Sequence, residues 1–249
     1  MTADLGLAAG RSLSAGAIVQ ARLRDRRFFT GMAVAALLTA VIGFAPTYYL
    51  RSMVGGPPLS TLLHVHGLLF TAWLLLFLAQ TSLVAAQRTD LHRRLGLAVV
   101  ILAPLLLVVG WLTAIDAARR GVTPPGGPHP LAFLAVPLGT LVVFAMLVIP
   151  GLRYRRRSET HKRLMLLATI SLLTPAIARF RYYGLGGTVI PIVGTCAFVL
   201  VCMAYDRWSH GRVHPVLVWG GVLLMISLPG RFALGQTGAW RSIAEWLTR

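Results

Sequence analysis

The chain has 249 residues, of which 56% are hydrophobic and only 12% are charged, a composition that excludes an ordinary soluble domain, where roughly 25% of residues are charged. The basic residues that give its net charge of +17 occur in short clusters between long apolar runs, which indicates basic loops beside a membrane and no nucleic-acid partner. Cys196 and Cys202 lie six residues apart in one apolar run and predict neither a disulfide nor a metal motif.

The N-terminal segment, residues 1–28, carries Arg22, Arg24, Arg26 and Arg27 before any sustained apolar run. A cleaved signal peptide needs an apolar stretch followed by a small-residue cleavage site, so we expect a basic tail that stays in the cytoplasm. The 23 Arg beside a single Lys favour a bacterial gene.

Seven apolar segments follow, each long enough to cross a bilayer as a helix, which takes about 20 residues. They cover residues 29–49, 60–86, 93–116, 130–151, 163–182, 188–205 and 214–232. Irregular backbone cannot face lipid, so the sequence predicts an all-α integral membrane protein, a seven-transmembrane-helix bundle over residues 29–235. Of the 24 Lys and Arg, 16 fall in the tail and in the loops on its side, which predicts an N-terminus in the cytoplasm, a C-terminus outside and a bacterial inner membrane.

The second segment contains "LSTLLHVHGLLF", with two histidines that point to different sides of a helix. His66 shares a face with Gln80, and a polar residue deep in a span should look into the bundle, so we orient His66 inward. Arg179 and Arg231 fall at the same outer depth and could hold an anionic group of haem, a quinone or a lipid. We therefore predict an outer-side cofactor-binding pocket of His64, His66, Arg179 and Arg231, the alternative being arginines that extend to lipid phosphates.

A short pattern occurs twice, as "TDLHRRLGLA" from Thr89 and "SETHKRLMLLA" from Ser158. Each copy opens a returning helix with an N-cap candidate and a histidine, His92 or His161, and a weaker third copy places His214 at the last hairpin. This predicts one N-terminal helix plus three repeated hairpins, with the three histidines at one depth. They could form a cytoplasmic-side metal site for Zn, Fe or Cu. The alternatives are histidines that lie separately among the headgroups, or a proton relay or headgroup contact.

The last segment, residues 236–249, reads "TGAWRSIAEWLTR" from Thr237. Its apolar residues Trp240, Ile243, Trp246 and Leu247 fall near one face of a helix. We predict an amphipathic helix that lies on the outer surface of the membrane, anchored by tryptophan.

The stretches "LHVHGLLFTAWLLLFLAQTSLVAAQRTDLHRRLG", "HKRLMLLATISLLTPAIARF" and "DRWSHGRVHPVLVWGG" resemble a group of bacterial multi-pass inner-membrane proteins over roughly residues 59–235. The "HRRLG" and "HKRLM" hairpin starts are also similar to small membrane families linked to respiratory-oxidase assembly. The resemblance implies an inner-membrane location and no established reaction.

Three classes of function are compatible with these features. The first is a redox or assembly accessory protein that binds haem or a transition metal through its histidines. The second is a transporter or sensor that binds a lipid or small molecule, and the third is a membrane enzyme acting on lipid. In each case we expect membrane lipids and other membrane proteins as partners.

Overall fold

The computed structural model contains seven helices, or helical segments, that are long and apolar enough to cross a membrane. The part of the chain it describes, residues 2–124, 126–187 and 189–249, with side chains from residue 19 onward, is helical and contains no strand. The predicted all-α bundle of seven spans is therefore confirmed.

The helices follow one another in a simple order. They are α1 (Thr2–Phe44), α2 (Thr61–Ala85), α3 (Thr89–Arg119), α4 (Pro130–Phe133), α5 (Ala135–Arg153), α6 (Ser158–Ser171), α7 (Thr174–Ala178), α8 (Val189–His210), α9 (Pro215–Gly235) and α10 (Gly238–Leu247). The π-helical turn Ala45–Tyr49 extends α1, and the 3₁₀ turn Arg179–Tyr183 extends α7.

The ends of two elements differ from the sequence-based expectation. The first helix begins at Thr2 and runs unbroken into the first span, so the predicted tail of residues 1–28 is continuous with that helix. Thr89 and Ser158 are the first helical residues of α3 and α6, and neither helix has a side-chain cap. The predicted capping by these two hydroxyls is therefore wrong.

The three hairpins are α2–α3, α5–α6 and α8–α9, each a pair of packed neighbouring helices. Helix α6 is the central helix, because every residue from Arg163 to Thr174 is buried. It is surrounded by α1, α5, α8 and α9. We call the end of the bundle that holds the hairpin connections, residues 86–88, 154–157 and 211–214, the basic end, and the other the opposite end.

The outward faces of the helices carry large exposed apolar side chains. Leu97 and Ile101 on α3 are 70% and 67% exposed, and Ile149 on α5 and Ile226 on α9 are similar. A soluble protein rarely exposes such continuous apolar surface, whereas lipid chains cover it at no cost. The fold thus has the surface of a multi-pass membrane protein.

The fifth span is interrupted near its middle. α6 ends at Ser171, and Leu172 and Leu173 donate their amides to the carbonyls three residues earlier before α7 begins. Pro175 lies in the first turn of α7, where its missing N–H costs nothing. The break rotates the chain so that Arg179 faces α1.

Helix α10 packs on the opposite end of the bundle. Trp240 donates its indole N–H to the Leu131 carbonyl at 2.8 Å, and Ala244 is fully buried. Ile243 and Trp246 are 49% and 68% exposed. The four residues that we predicted to share one membrane face therefore lie in two places. Trp240 and Leu247 pack against the α3–α4 region, while Ile243 and Trp246 stay exposed.

Candidate functional site

A buried ion pair joins α6 to α8 at the basic end. The side chains of Arg163 and Asp206 are each 2% exposed. The Arg163 Nε and Nη2 atoms donate to the Asp206 carboxylate at 2.9 and 2.6 Å, while Nη1 donates to the Glu159 carboxylate at 2.7 Å. The Asp206 carboxylate also accepts the backbone N–H of His214 at 3.0 Å, so the pair fixes the start of α9.

A second group of charges adjoins this pair. Asp25, Glu159 and His210 place ligand atoms within 4.8 Å of one another, the spacing of a cation site. The Lys162 ammonium lies among them, 2.5 Å from the Asp25 carboxylate and 2.7 Å from that of Glu159. Because this side chain supplies the positive charge, the group is an internal ion-pair network that holds α1, α6 and α8 together.

His92 and His161 are brought together at the same end. Their ring centroids are 6.4 Å apart and the rings are nearly perpendicular, at 80°. The His161 Nδ1 atom lies 2.8 Å from the Gly151 carbonyl oxygen. A carbonyl only accepts, so this contact places the proton on Nδ1 and leaves the lone pair on Nε2, the arrangement seen in many metal-binding histidines.

Two polar atoms beside this histidine pair are buried and have no partner among the described residues. They are His92 Nδ1 and the side-chain oxygen of Gln80, a residue that is only 8% exposed. The Gln80 backbone carbonyl faces the His92 ring, and its side-chain nitrogen lies against Gly96, one turn after His92. Buried polar groups are nearly always satisfied, so these atoms point to a ligand or an ordered water.

His214 takes a different position from the other two repeated histidines. Its Nδ1 atom accepts the backbone N–H of Val216 at 3.2 Å and so caps α9. Burial, and then the positive charge of Arg163, lower the pKa of His214. Within the described chain, His214 forms no close ligand group with His92 and His161.

Arg179 and His66 lie at the opposite end. The Arg179 guanidinium donates to the Thr47 hydroxyl at 3.1 Å and to the Pro175 carbonyl at 2.8 Å, and its centre lies 4.3 Å from the centroid of the Phe44 ring. His66 lies on α2 next to Gly67, over which Tyr48 packs, and the His66 Nδ1 atom is buried without a partner in the described structure.

The other two residues of the predicted outer-side pocket differ from one another in their contacts. Arg231 is 6% exposed and lies between α9 and α5, where it donates to the hydroxyls of Thr140 and Ser227 at 2.6 Å each. His64 is exposed, and its backbone carbonyl accepts the Tyr48 hydroxyl at 3.2 Å. Arg231 is therefore separate, held by hydroxyls between α5 and α9, whereas Arg179 and the start of α2, with His64 and His66, lie around the turn Ala45–Tyr49.

The sequence reasoning missed the charge network at the basic end. The charge count places Arg163 with the basic loop residues at 153–163, and it predicts no carboxylate partner for it. A signal was present, since Asp206 lies near the end of the first helix of the third hairpin, shortly before a loop histidine, His214, that no basic pair follows. Its pairing with Arg163, 43 residues away, depends on the packing of α6 against α8.

Comparison of the chain with protein-family models, with curated proteins and with solved structures found no match. The family resemblance of the hairpin starts therefore stays a prediction.

Proposed function

We propose that this chain is a membrane protein of the redox or assembly accessory class that binds a transition metal, as a free ion or as haem iron, between His92 and His161. The observation that carries this proposal is the adjacent histidine pair, 6.4 Å apart at the ring centroids, with one tautomer fixed by the Gly151 carbonyl. His214 is not needed, because its Nδ1 lone pair caps α9.

The spacing of the two rings suits ligation of one metal ion. A metal–nitrogen bond is about 2.0–2.1 Å, so two imidazoles on one ion have centroids roughly 5–6.5 Å apart, the larger values belonging to ligands on opposite sides of the ion. The observed 6.4 Å falls within that range, so His92 and His161 would hold one ion or haem iron with little movement of the rings. The Gln80 amide oxygen is a further ligand candidate in the same place.

The surroundings of the pair support a metal ligand more than a solvated surface pair. His92 Nδ1 is buried, and Gln80 is almost fully enclosed. A ring nitrogen that is buried without a partner loses its interaction with water, and a metal ion would restore a stronger one. Carboxylates neutralise the neighbouring Lys162 and Arg163 charges, so of the basic residues near the pair Arg93 is the one that a bound cation would meet without a described ion pair.

The membrane placement is part of the proposal. The seven apolar spans support a multi-pass protein, and the positive-inside rule places the basic end in the cytoplasm of a bacterium, with the C-terminus outside. The metal would then lie at the cytoplasmic boundary of the inner membrane, where it can exchange electrons with, or be passed to, a partner membrane protein.

Metal and pigment analysis of the purified full-length chain tests the proposal. We expect about one equivalent of a transition metal per chain after loading with Cu²⁺, or a haem absorption band after loading with haemin. His92→Ala and His161→Ala should abolish high-affinity binding, and Gln80→Leu should weaken it about 10- to 100-fold, as for groups that support a ligand.

The control for this experiment is His64→Ala, which removes an exposed histidine at the opposite end. It should bind the metal or haem as the wild type does. Retention of full binding by His92→Ala and His161→Ala, or loss of binding in His64→Ala alone, would contradict the proposal.

A further inference from the structure

Arg179 is held in one orientation at the opposite end of the bundle. Its Nε and Nη1 atoms donate to Thr47 and to the Pro175 carbonyl, and Phe44 covers one face of the guanidinium. In the described chain Nη2 donates no hydrogen bond, and the side chain is only partly buried. A fixed guanidinium with a free, accessible edge is a preorganised donor for an oxyanion.

The charge of Arg179 has no acidic partner among the described side chains. The six acidic residues with described side chains all pair with other residues, namely Asp25, Asp90, Asp116, Glu159, Asp206 and Glu245. A guanidinium stays charged at every physiological pH, and a charge held in a membrane-spanning segment is costly unless it is paired. None of these carboxylates therefore neutralises Arg179, and a bound anion would.

His66 supplies a second observation at the same place. Its Nδ1 atom is buried without a partner, and its ring stacks on Phe70 with centroids 4.3 Å apart. The turn Ala45–Tyr49 links it to Arg179, because Thr47 contacts the guanidinium while Tyr48 packs over Gly67, the neighbour of His66. A π-helical turn of this kind often occurs where a binding site needs a local change of direction.

We propose that Arg179 and His66 bind the phosphate of a ligand at the opposite end of the bundle. Arg179 supplies the charge and a donor, and the Nδ1–H tautomer of His66 supplies a second donor. A phospholipid headgroup and inorganic phosphate share this chemistry. The proposal is independent of the metal site, which lies at the basic end.

Thermal unfolding of the full-length chain in neutral detergent tests this assignment. The unfolding midpoint is measured with added phosphatidylglycerol, with phosphatidylcholine and with inorganic phosphate at constant ionic strength. A lipid at roughly a hundred times its dissociation constant should raise the midpoint by about 5–10 °C. Arg179→Gln should remove the shift, whereas the matched control Arg181→Gln, two residues along and paired only with Tyr182, should keep it.

The outcomes separate the two sources of phosphate. A shift with the phospholipids alone assigns a lipid headgroup, and an equal shift with inorganic phosphate assigns the free ion; either supports the site if it depends on Arg179. If Arg179→Gln does not fold, Arg179→Lys, which keeps the charge but not the planar fork, should reduce the shift. The assignment is overturned if the wild-type midpoint responds to none of the three additives, or if every Arg179 variant that folds responds as the wild type does.

Discussion

Replacing Asp206 by Asn should lower the free energy of unfolding of the bundle by about 3–5 kcal/mol, the cost of leaving one partner of a buried ion pair unpaired. The carboxylate accepts two short bonds from Arg163, at 2.6 and 2.9 Å, and charge-assisted hydrogen bonds contribute about 1.5–3 kcal/mol each. Asn presents an N–H₂ group to the same donors, so at least one of these bonds becomes a repulsive contact. Because Arg163 keeps its contact with Glu159, we expect the loss of stability to be smaller than the two broken bonds together would give.

Equilibrium unfolding in mixed detergent micelles, followed by circular dichroism, measures this loss. The matched control is Asp116→Asn, because Asp116 pairs with Arg120 at 2.6 Å but both side chains are more than a third exposed. The control should change the free energy of unfolding by less than about 1 kcal/mol. An Asp206→Asn loss as small as that of the control would refute the reasoning, since it would mean that the Arg163 charge is solvated.

Two further predictions use single positions. His214→Ala should lower the free energy of unfolding by about 1 kcal/mol because it removes the cap of α9, whereas His214→Asn should keep the cap. Burial and the charge of Arg163 lower the pKa of His214. The wild type should therefore lose the stabilisation from the cap as the pH falls below about 6.5 and through the lowered pKa, and the Asn variant should not. Gly43→Ala should lower the free energy of unfolding by about 1–3 kcal/mol, because the added Cβ would lie 2.3 Å from the Ala176 carbonyl oxygen. Gly31→Ala in the same helix should be neutral or stabilising, because its added Cβ would have nothing within 4 Å. Both pairs are measured by unfolding, and equal losses within a pair would contradict the stated cause.

The seven spans could be predicted because bilayer thickness fixes the length of an apolar run. The predicted boundaries of the second span, residues 60–86, and of the fourth, residues 130–151, agree closely with Thr61–Ala85 and Pro130–Arg153. The first span could not be bounded in this way, because basic residues interrupt its hydropathy while the helix itself continues back to Thr2. Hydropathy predicts which part of a helix lies in the membrane, but it does not predict the residue at which the helix begins.

The repeated pattern predicts the relative positions of its histidines where the copies are alike, and it does not where they differ. The first two copies share a basic pair after the histidine, and their histidines, on α3 and α6, lie next to each other. The third copy lacks that pair and has Pro215 directly after its histidine, so His214 precedes the helix as a cap. A histidine before a proline at a helix start is thus better read as a capping residue than as a third ligand.

The buried charge network could not be predicted from local patterns. Whether Arg163 faces water or Asp206 depends on the rotation of α6 and on which helix lies beside it, and tertiary packing decides both. The same reason separates Arg231 from Arg179, since α5 contributes Thr140 to one and α1 contributes Thr47 to the other. Equal depth in the membrane did not imply a shared site.

X-ray absorption spectroscopy of the metal-loaded or haem-loaded full-length chain tests the central proposal most directly, because it identifies the atoms bound to the metal. The adjacent pair of His92 and His161 predicts two imidazole nitrogens at about 2.0–2.1 Å from the metal, and it predicts that this two-imidazole signal is absent in His161→Ala. A metal coordinated by oxygen or sulfur alone, or an unchanged imidazole signal in His161→Ala, would contradict it.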